Sequence, residues 1–128
     1  MQNTVSSLKK RADKLISILV RKGSSDFSGY CRCYTCGKVN KWERMQCGHF
    51  VGRSNNILRY DLRNLRVQCE ACNIWKHGNL YEYGKRLDEE CGYGTADSLI
   101  SEGREKKQFT VSELKELCEK FNKLIKDL

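Results

Sequence analysis

Apolar residues recur at helical spacing near the start of the chain. Within residues 4–22, the apolar positions that share one helical face are Leu8, Ala12, Leu15, Ile16, Leu19 and Val20. Thr4 or Ser6 can cap the start of this segment, and Gly23 can close its end. The pattern predicts an amphipathic N-terminal helix.

A second apolar stripe occupies the end of the chain. Over residues 111–128 it consists of Val111, Leu114, Leu117, Cys118, Phe121, Leu124, Ile125 and Leu128. Thr110 and Glu113 have the spacing of a capping box, in which each residue's side chain satisfies the other's backbone N–H. A C-terminal helix that begins at Val111 is therefore expected.

The central part of the chain is divided into short segments. Residues 23–29 are rich in Gly and Ser, residues 31–40 are rich in cysteine and turns, and residues 53–56 form a polar loop. Residues 42–51 should form a strand pair or the first half of a hairpin, and residues 65–68 a second strand. A helix is expected from Cys72, interrupted at Gly78 and resuming to Glu90, with another over residues 95–106. These elements predict a single α+β domain over residues 1–128.

The charge balance favours a polyanionic partner. The chain has 24 Lys and Arg against 16 Asp and Glu, a net charge of +8. Lys and Arg near phosphates release condensed counterions, although many basic proteins merely have solvated faces. No apolar run approaches the roughly 18 residues that a membrane span needs, and the N-terminus lacks the apolar region of a signal peptide. We expect an intracellular protein that is not secreted and has no membrane partner.

Eight cysteines in an intracellular chain indicate metal binding rather than disulfides. The pairs Cys33/Cys36 and Cys69/Cys72 each have C-x2-C spacing. That spacing lets two thiolates of one turn occupy adjacent corners of a tetrahedron around Zn²⁺, and Gly37 eases the first turn. We therefore expect a closed structural Zn²⁺ site with four sulfur ligands.

The other cysteines are assigned different roles. Cys31 is close enough to Cys33 to compete with it as a ligand. Cys47, Cys91 and Cys118 are expected to be small apolar core residues.

Histidine and asparagine stand between and after the two cysteine pairs. The segments are Gly48-His49-Phe50, Arg63-Asn64-Leu65 and Cys69-Glu-Ala-Cys72-Asn73, followed by Lys76 and His77. This order resembles the HNH nucleases of the ββα-metal superfamily. Over nearly the whole chain, the sequence is similar to the Rap (NinG) recombination nucleases of lambda-type phages. The matching segments are C-Y-T-C-G, G-H-F, L-R-Y-D-L-R-N-L, Q-C-E-A-C-N, K-H-G-N-L and F-T-V-S-E-L-K-E-L. The resemblance implies a zinc-stabilised ββα-metal (HNH) core over residues 31–90, flanked by an N-terminal helix (residues 1–23) and C-terminal helices (residues 95–128).

The resemblance also implies a structure-selective DNA endonuclease in phage recombination, which hydrolyses phosphodiester bonds in Holliday junctions and D-loops. His49, whose ordinary pKa is near neutral, would be the general base that takes a proton from water. Asn64 would hold the imidazole or the loop that carries it, as the family's middle Asn does. Asn73 and His77, four apart on one helical face, would hold a catalytic Mg²⁺ or Mn²⁺. The residues expected to contact DNA phosphates are Arg53, Arg59, Arg63 and Lys76.

Two departures from the family pattern affect the catalytic metal ligands. Gly48 stands where many HNH enzymes have an acidic or His ligand directly before the base. The position of His77 is more often a small polar residue in the Rap pattern. Asp61 and Asn79 therefore stay open as replacement ligands.

Two alternative functions and one assembly prediction remain. The chain could be a generic duplex-nicking HNH endonuclease or a non-catalytic zinc-finger module that binds DNA. A four-way junction needs two symmetrically placed cuts, so we expect a homodimer with its helices at the interface. The alternative is that the two helices pack on each other within one chain.

Overall fold

The computed structural model describes residues 3–128 and confirms a mixed α+β fold. The helices are α1 (Val5–Gly23), α2 (Leu80–Cys91), α3 (Thr95–Glu102) and α4 (Val111–Lys126), and the strands are β1 (Tyr30–Arg32), β2 (Val39–Lys41), β3 (Gln46–His49) and β4 (Leu65–Gln68). Short 3-10 turns and one π-helical turn connect them. None of the helices over residues 3–128 is long and apolar enough to cross a membrane.

Both terminal helices begin with the caps that the sequence predicts. Thr4 accepts a hydrogen bond from the backbone N–H of Ser7, and Thr110 accepts one from that of Glu113. In each case the third residue bonds back to the cap, so two N–H groups that lack helical partners are satisfied. Gly23 is the last residue of α1 rather than the residue beyond it, and Ser24 caps the end.

Helices α1 and α4 pack against each other within one chain. Their buried faces form one cluster, which Tyr60 and Leu65 complete: Leu8, Ala12, Ile16, Val20, Leu114, Cys118 and Phe121. Full burial of a large apolar side chain contributes about 1.5–3 kcal/mol, so this pairing is a main source of stability. It corrects the expectation that the helix stripes are left for a second copy. The homodimer itself stays a prediction, without these two stripes as its interface.

Two antiparallel hairpins form the centre of the fold. Strands β1 and β2 pair with Cys31 opposite Asn40, and the turn between them carries Cys33 and Cys36. Strands β3 and β4 pair with Gly48 opposite Arg66 and His49 opposite Leu65. The backbone N–H of Tyr34 donates to the carbonyl of Val67, so the first hairpin is joined to β4.

A second core lies under α2 and α3. Its buried residues are Phe50, Val51, Leu58, Tyr83, Leu87, Ala96 and Leu99. The Tyr83 hydroxyl lies 2.8 Å from the carbonyl oxygen of Gly48, to which it donates, so α2 is bound directly to the strand that carries His49. Phe50 and Val51 follow His49 into this core, which anchors the chain beyond β3.

Three predicted elements differ from the structure. The segment after Cys72 is a π-helical turn over Ala71–Trp75, and α2 starts only at Leu80, after His77 and Asn79 adopt positive φ angles. Residues 42–51 contain the 3-10 turn Trp42–Arg44 and the single strand β3, which pairs with β4 as the hairpin prediction requires. Helix α3 ends at Glu102 rather than continuing to residue 106.

Candidate zinc site and His49 pocket

The two C-x2-C turns lie together and form a four-sulfur cluster. The Sγ atoms of Cys33, Cys36, Cys69 and Cys72 all lie within 4.8 Å of one another, and those of Cys36 and Cys69 are 3.6 Å apart. A Zn–S bond of about 2.3 Å gives a tetrahedron with an edge of about 3.8 Å, so the four sulfurs fit a Zn²⁺ ion. Cys31 is not a member of this group, because it lies in β1 and is buried with Met45 and Val67.

Local backbone structure explains why the sulfurs converge. Gly37 has a φ of +82°, which L side chains rarely adopt, and its N–H donates to the carbonyl of Cys33. The N–H of Lys38 then lies 3.5 Å from Cys36 Sγ. Burial raises the pKa of the Cys33 thiol, but hydrogen bonds from Thr35 and from backbone N–H groups outweigh it and lower that pKa to about 6. Cys33 therefore readily supplies the thiolate that a metal ligand requires.

His49 lies at the end of β3 and lines a cavity of about 510 Å³, the His49 pocket. Helix α1 contributes Asp13, Ser17 and Arg21 to its wall. The remaining lining residues are Met45, Gln46, Cys47, Arg53, Asn73, His77 and Gly78. The pocket thus brings together His49, Arg53, Asn73 and His77, four of the residues singled out from the sequence.

The hydrogen bond of His49 fixes its tautomer. His49 Nε2 lies 3.1 Å from the backbone carbonyl oxygen of Arg59. Because a carbonyl only accepts, Nε2 carries the proton and Nδ1 keeps its lone pair. Burial lowers the pKa of His49 below 6.5, the Arg59 carbonyl acts in the opposite direction, and the nearby positive charge of Arg53 lowers it further. The imidazole is therefore neutral at pH 7 and able to accept a proton.

Asn64 is fully buried and acts on the loop after His49 rather than on the imidazole. Its side chain accepts from the N–H of Val51 at 2.8 Å and donates to the carbonyls of Val51 and Leu58. These bonds hold both ends of the segment that connects His49 to the carbonyl of Arg59. Of the two roles expected from the sequence, these contacts match the second, in which Asn64 holds the loop that follows His49.

Asn73 and His77 line the same pocket, but not as neighbours on one helical face. Asn73 lies in the π-helical turn, whereas His77 follows it with a φ of +50°. Asn73 Nδ2 donates to Gln46 Oε1 at 2.7 Å, so its Oδ1 is the atom available to a cation. Mg²⁺ commonly binds one or two protein ligands and completes its shell with water and substrate phosphate. Asn73 and His77 are the candidate ligands for such an ion in this pocket.

The other suggested metal ligands lie elsewhere. Asp61 caps a 3-10 turn and is paired with Arg63, and the Asn79 side chain donates to Cys72 Sγ, so both stay outside the His49 pocket. Over residues 3–128, the four cysteines are the one group of three or more His, Cys, Asp or Glu side chains whose ligand atoms lie this close.

Gln68 fills the space that a side chain at position 48 would need. A Cβ atom on Gly48 would lie 2.0 Å from Gln68 Oε1 and 2.7 Å from its Cδ. Gln68 is itself fully buried, and its Nε2 donates to Thr35 Oγ1 and to the carbonyl of Gly78. No side chain fits at position 48 unless Gln68 moves.

The four residues expected to contact DNA differ in their placement. Arg53 lines the pocket with 59% of its side chain exposed, and Lys76 is exposed next to His77. Arg59 is only 16% exposed and forms two hydrogen bonds with Asp13, so its backbone carbonyl rather than its guanidinium serves the site. Arg63 is exposed but paired with Asp61 and Glu102, and it lines a different cavity.

Two residues of α1 at the pocket were missed from the sequence. Asp13 accepts from Arg59 and lies 3.6 Å from Arg53, so it holds both arginines beside His49. Arg21 is stacked on Trp42 and donates to Ser17, which leaves it at the pocket wall. Both occupy helix positions with ordinary charged residues, and no local signal distinguishes them.

The remaining cysteines are only partly core residues. Cys118 is buried and Cys47 is half-buried against the α1–α4 core, as expected. Cys91 is exposed at the end of α2, which corrects its assignment to the core. Its Sγ lies 3.6 Å from the Arg66 guanidinium, on the surface of the domain.

Comparison with known proteins points to one family. A family model described as "NinG: Bacteriophage Lambda NinG protein" matches residues 3–128. Proteins named "Protein ninG" from Salmonella phage P22 and Escherichia phage 933W are each 29% identical over 122 residues, which is 93% of this chain. The one from Escherichia phage lambda is 27% identical over 122 residues. The chain spans 56% to 57% of the length of these relatives. No solved structure matches.

Proposed function

We propose that this chain, which belongs to the NinG family, is a metal-dependent DNA endonuclease that hydrolyses phosphodiester bonds in branched recombination intermediates. The observation that carries the proposal is the 3.1 Å contact between His49 Nε2 and the carbonyl oxygen of Arg59, which leaves the Nδ1 lone pair to act as a base. Its position in a concave pocket with basic side chains supports a phosphate substrate.

The residues of the His49 pocket divide the work of hydrolysis. His49 takes a proton from a water molecule as that water attacks phosphorus. Arg53 and Arg21 bind the non-bridging oxygens of the phosphate, where negative charge increases in the transition state. Asn64 keeps the loop beyond His49 in place, and Asp13 keeps Arg53 near the base.

Two metal ions have separate roles in this proposal. Asn73 and His77 would hold a Mg²⁺ or Mn²⁺ ion, which supplies stabilisation of the leaving oxygen. The four-cysteine cluster would hold Zn²⁺ in a closed shell, without an open position for chemistry, and so fixes the two hairpins relative to each other.

We propose branched DNA as the substrate because the sequence resembles those of recombination nucleases. The basic side chains at the pocket suit backbone contacts rather than base-specific ones, since guanidinium groups pair with phosphate geometry. Duplex nicking uses the same contacts and is the alternative within enzymes. Resolution of a four-way junction also needs two cuts, so we propose that two copies act on one junction.

The non-catalytic alternative is a zinc module that only binds DNA. The four-cysteine cluster and the net charge of +8 suit it equally well. A binding module, however, does not need a half-buried neutral imidazole fixed by a backbone carbonyl. The geometry of His49 therefore favours the enzyme.

Cleavage assays with a His49→Ala variant test the proposal. Four-way junction, D-loop, flap and linear duplex DNA are each incubated with zinc-loaded protein and Mg²⁺ or Mn²⁺. Loss of the general base should slow cleavage about a hundred- to ten-thousand-fold while DNA binding stays nearly intact. Added imidazole should restore part of the activity, because it can occupy the space of the lost ring. Cleavage by the variant at the parent's rate, or a parent that cuts none of these DNAs, contradicts the proposal.

A further inference from the structure

A second cavity lies on the other side of the loop that follows His49. It has a volume of about 860 Å³ and is lined in part by Phe50, Leu80, Tyr81 and Ile100. Small-molecule and nucleotide sites commonly have volumes of roughly 300–1,000 Å³ and mostly apolar walls. We call it the Tyr81 cavity.

The Tyr81 cavity and the His49 pocket share one wall. His49 and Arg53 line the His49 pocket, whereas Phe50, Val51 and Ser54, which alternate with them along the chain, line the Tyr81 cavity. A polymeric ligand bound at His49 therefore reaches the Tyr81 cavity by crossing a single loop. No domain or long connection separates the two.

Large apolar side chains are exposed in the Tyr81 cavity, and no segment within residues 3–128 covers them. Tyr81 is 80% exposed, Leu80 48% and Ile100 44%. Tyr81 lies in the first turn of α2, where its ring has solvent on most sides. An aromatic ring in such a position adds little to the stability of the fold. Its presence there is better explained by a ligand with a flat apolar face.

The rim of the cavity is basic. Arg104 and Lys106 are exposed on the segment after α3, and neither forms an ion pair with a residue that the structure describes. Glu105 lies between them, so the two cations exceed the single acidic side chain of this stretch. Aromatic and cationic side chains together are the features with which proteins bind single-stranded nucleic acid.

We propose that the Tyr81 cavity binds an unpaired base of the DNA strand whose phosphate lies at His49. This inference rests on the proposed nuclease function and specifies its substrate class: DNA with an unpaired nucleotide beside the cut. The base stacks on the Tyr81 ring, and Arg104 and Lys106 neutralise the neighbouring phosphates. A base inside an intact duplex has both faces covered by its neighbours and cannot stack on Tyr81, so the cavity favours DNA with an unpaired nucleotide over fully paired duplex DNA.

Binding measurements on the full zinc-loaded chain test this inference. The background is His49→Ala, so that no DNA is cut. One probe is a duplex with a short single-stranded arm that contains 2-aminopurine, and the other is the same duplex without an arm. Fluorescence anisotropy gives the affinity, and quenching of 2-aminopurine reports stacking of the unpaired base.

Tyr81→Ala should weaken binding of the armed probe about five- to a hundred-fold and abolish the quenching, while binding of the plain duplex stays unchanged. Tyr81→Phe should keep both signals, because it retains the ring. The matched control is Tyr93→Ala, which removes an even more exposed tyrosine (99%) from another surface and should change neither. Since Tyr81 is mostly exposed, its truncation leaves the core intact.

Equal binding of the armed probe by the Tyr81→Ala and parental proteins would overturn the inference, and so would equal loss with Tyr93→Ala. Cleavage by the proteins with His49 intact is measured in parallel. If His49→Ala abolishes cleavage but Tyr81→Ala does not affect binding, the cavity inference fails alone. If His49→Ala cuts as the parent does, the proposed function fails, whatever the binding data show.

Discussion

The contact between Gly48 and Gln68 makes a quantitative prediction about the strand that carries His49. In Gly48→Ala the new Cβ atom would lie within 3.0 Å of the Oε1, Cδ and Cγ atoms of Gln68. Because three consecutive atoms are too close, rotation of the terminal amide does not relieve the clash. The whole Gln68 side chain has to leave its place, in a part of the domain where it is completely buried.

The expected loss of stability has two parts. Over-packing of a buried site costs about 1–3 kcal/mol. Displacement of Gln68 also breaks its hydrogen bonds to Thr35 and to the carbonyl of Gly78, and each buried bond contributes about 0.5–1.5 kcal/mol. Alanine recovers roughly 0.5–1 kcal/mol of the entropy that glycine loses on folding. The free energy of unfolding should therefore fall by about 1–5.5 kcal/mol, a substantial share of the roughly 5–15 kcal/mol of a typical domain.

Urea unfolding of zinc-loaded protein, followed by tryptophan fluorescence and circular dichroism, measures this loss. Gly52→Ala is the matched control, because a Cβ there meets no atom within 4 Å, and its stability should stay within about 0.5 kcal/mol of the parent's. The double variant with Gln68→Ala should lose less than the sum of the two single losses, since the clash is then absent. A Gly48→Ala protein that unfolds at the parent's urea concentration would refute the reasoning.

Zinc content, pH dependence and assembly can be tested on the same protein. Elemental analysis should find one Zn²⁺ ion per chain. The Cys33→Ser protein should lose this ion and unfold at a lower temperature. The Cys91→Ser protein should keep the ion, because Cys91 is an exposed thiol outside the cluster. Zero zinc in the parent would contradict the site. The acid limb of the pH profile of cleavage should lie below pH 6.5, because the lowered pKa keeps His49 neutral to lower pH. Arg53→Ala should move that limb to higher pH, since it removes a positive charge that lowers the pKa of His49. An acid limb above pH 6.5 in the parent would contradict this prediction. Sedimentation should show two copies of the protein on one four-way junction. A protein that stays a 14.9 kDa monomer, both with and without junction DNA, would reject the dimer.

The sequence alone determined those features that depend on neighbours in the chain. The capping box of Thr110 and Glu113 joins residues three apart, and the periodic apolar positions of α1 and α4 follow from helical geometry. The C-x2-C spacing likewise identified all four sulfurs of the cluster, since each pair sits in one tight turn. His49, Arg53, Asn73 and His77, which the sequence singled out for different roles, line one pocket, and those roles stay predictions.

Only the tertiary structure decided how distant segments meet. Asp13 reaches Arg59 across 46 residues of sequence, and this ion pair occupies a guanidinium that was expected to contact DNA. Gln68 fills the space beside Gly48. The position of His77 depends on the π-helical turn before it, which no sequence pattern predicts. Such contacts depend on which surfaces pack together, and many different pairs of side chains satisfy the same packing. Local hydrogen bonds and helical periodicity can therefore be predicted from the sequence. The contacts of Asp13 with Arg59 and of Gly48 with Gln68 form only when distant segments of the chain pack together.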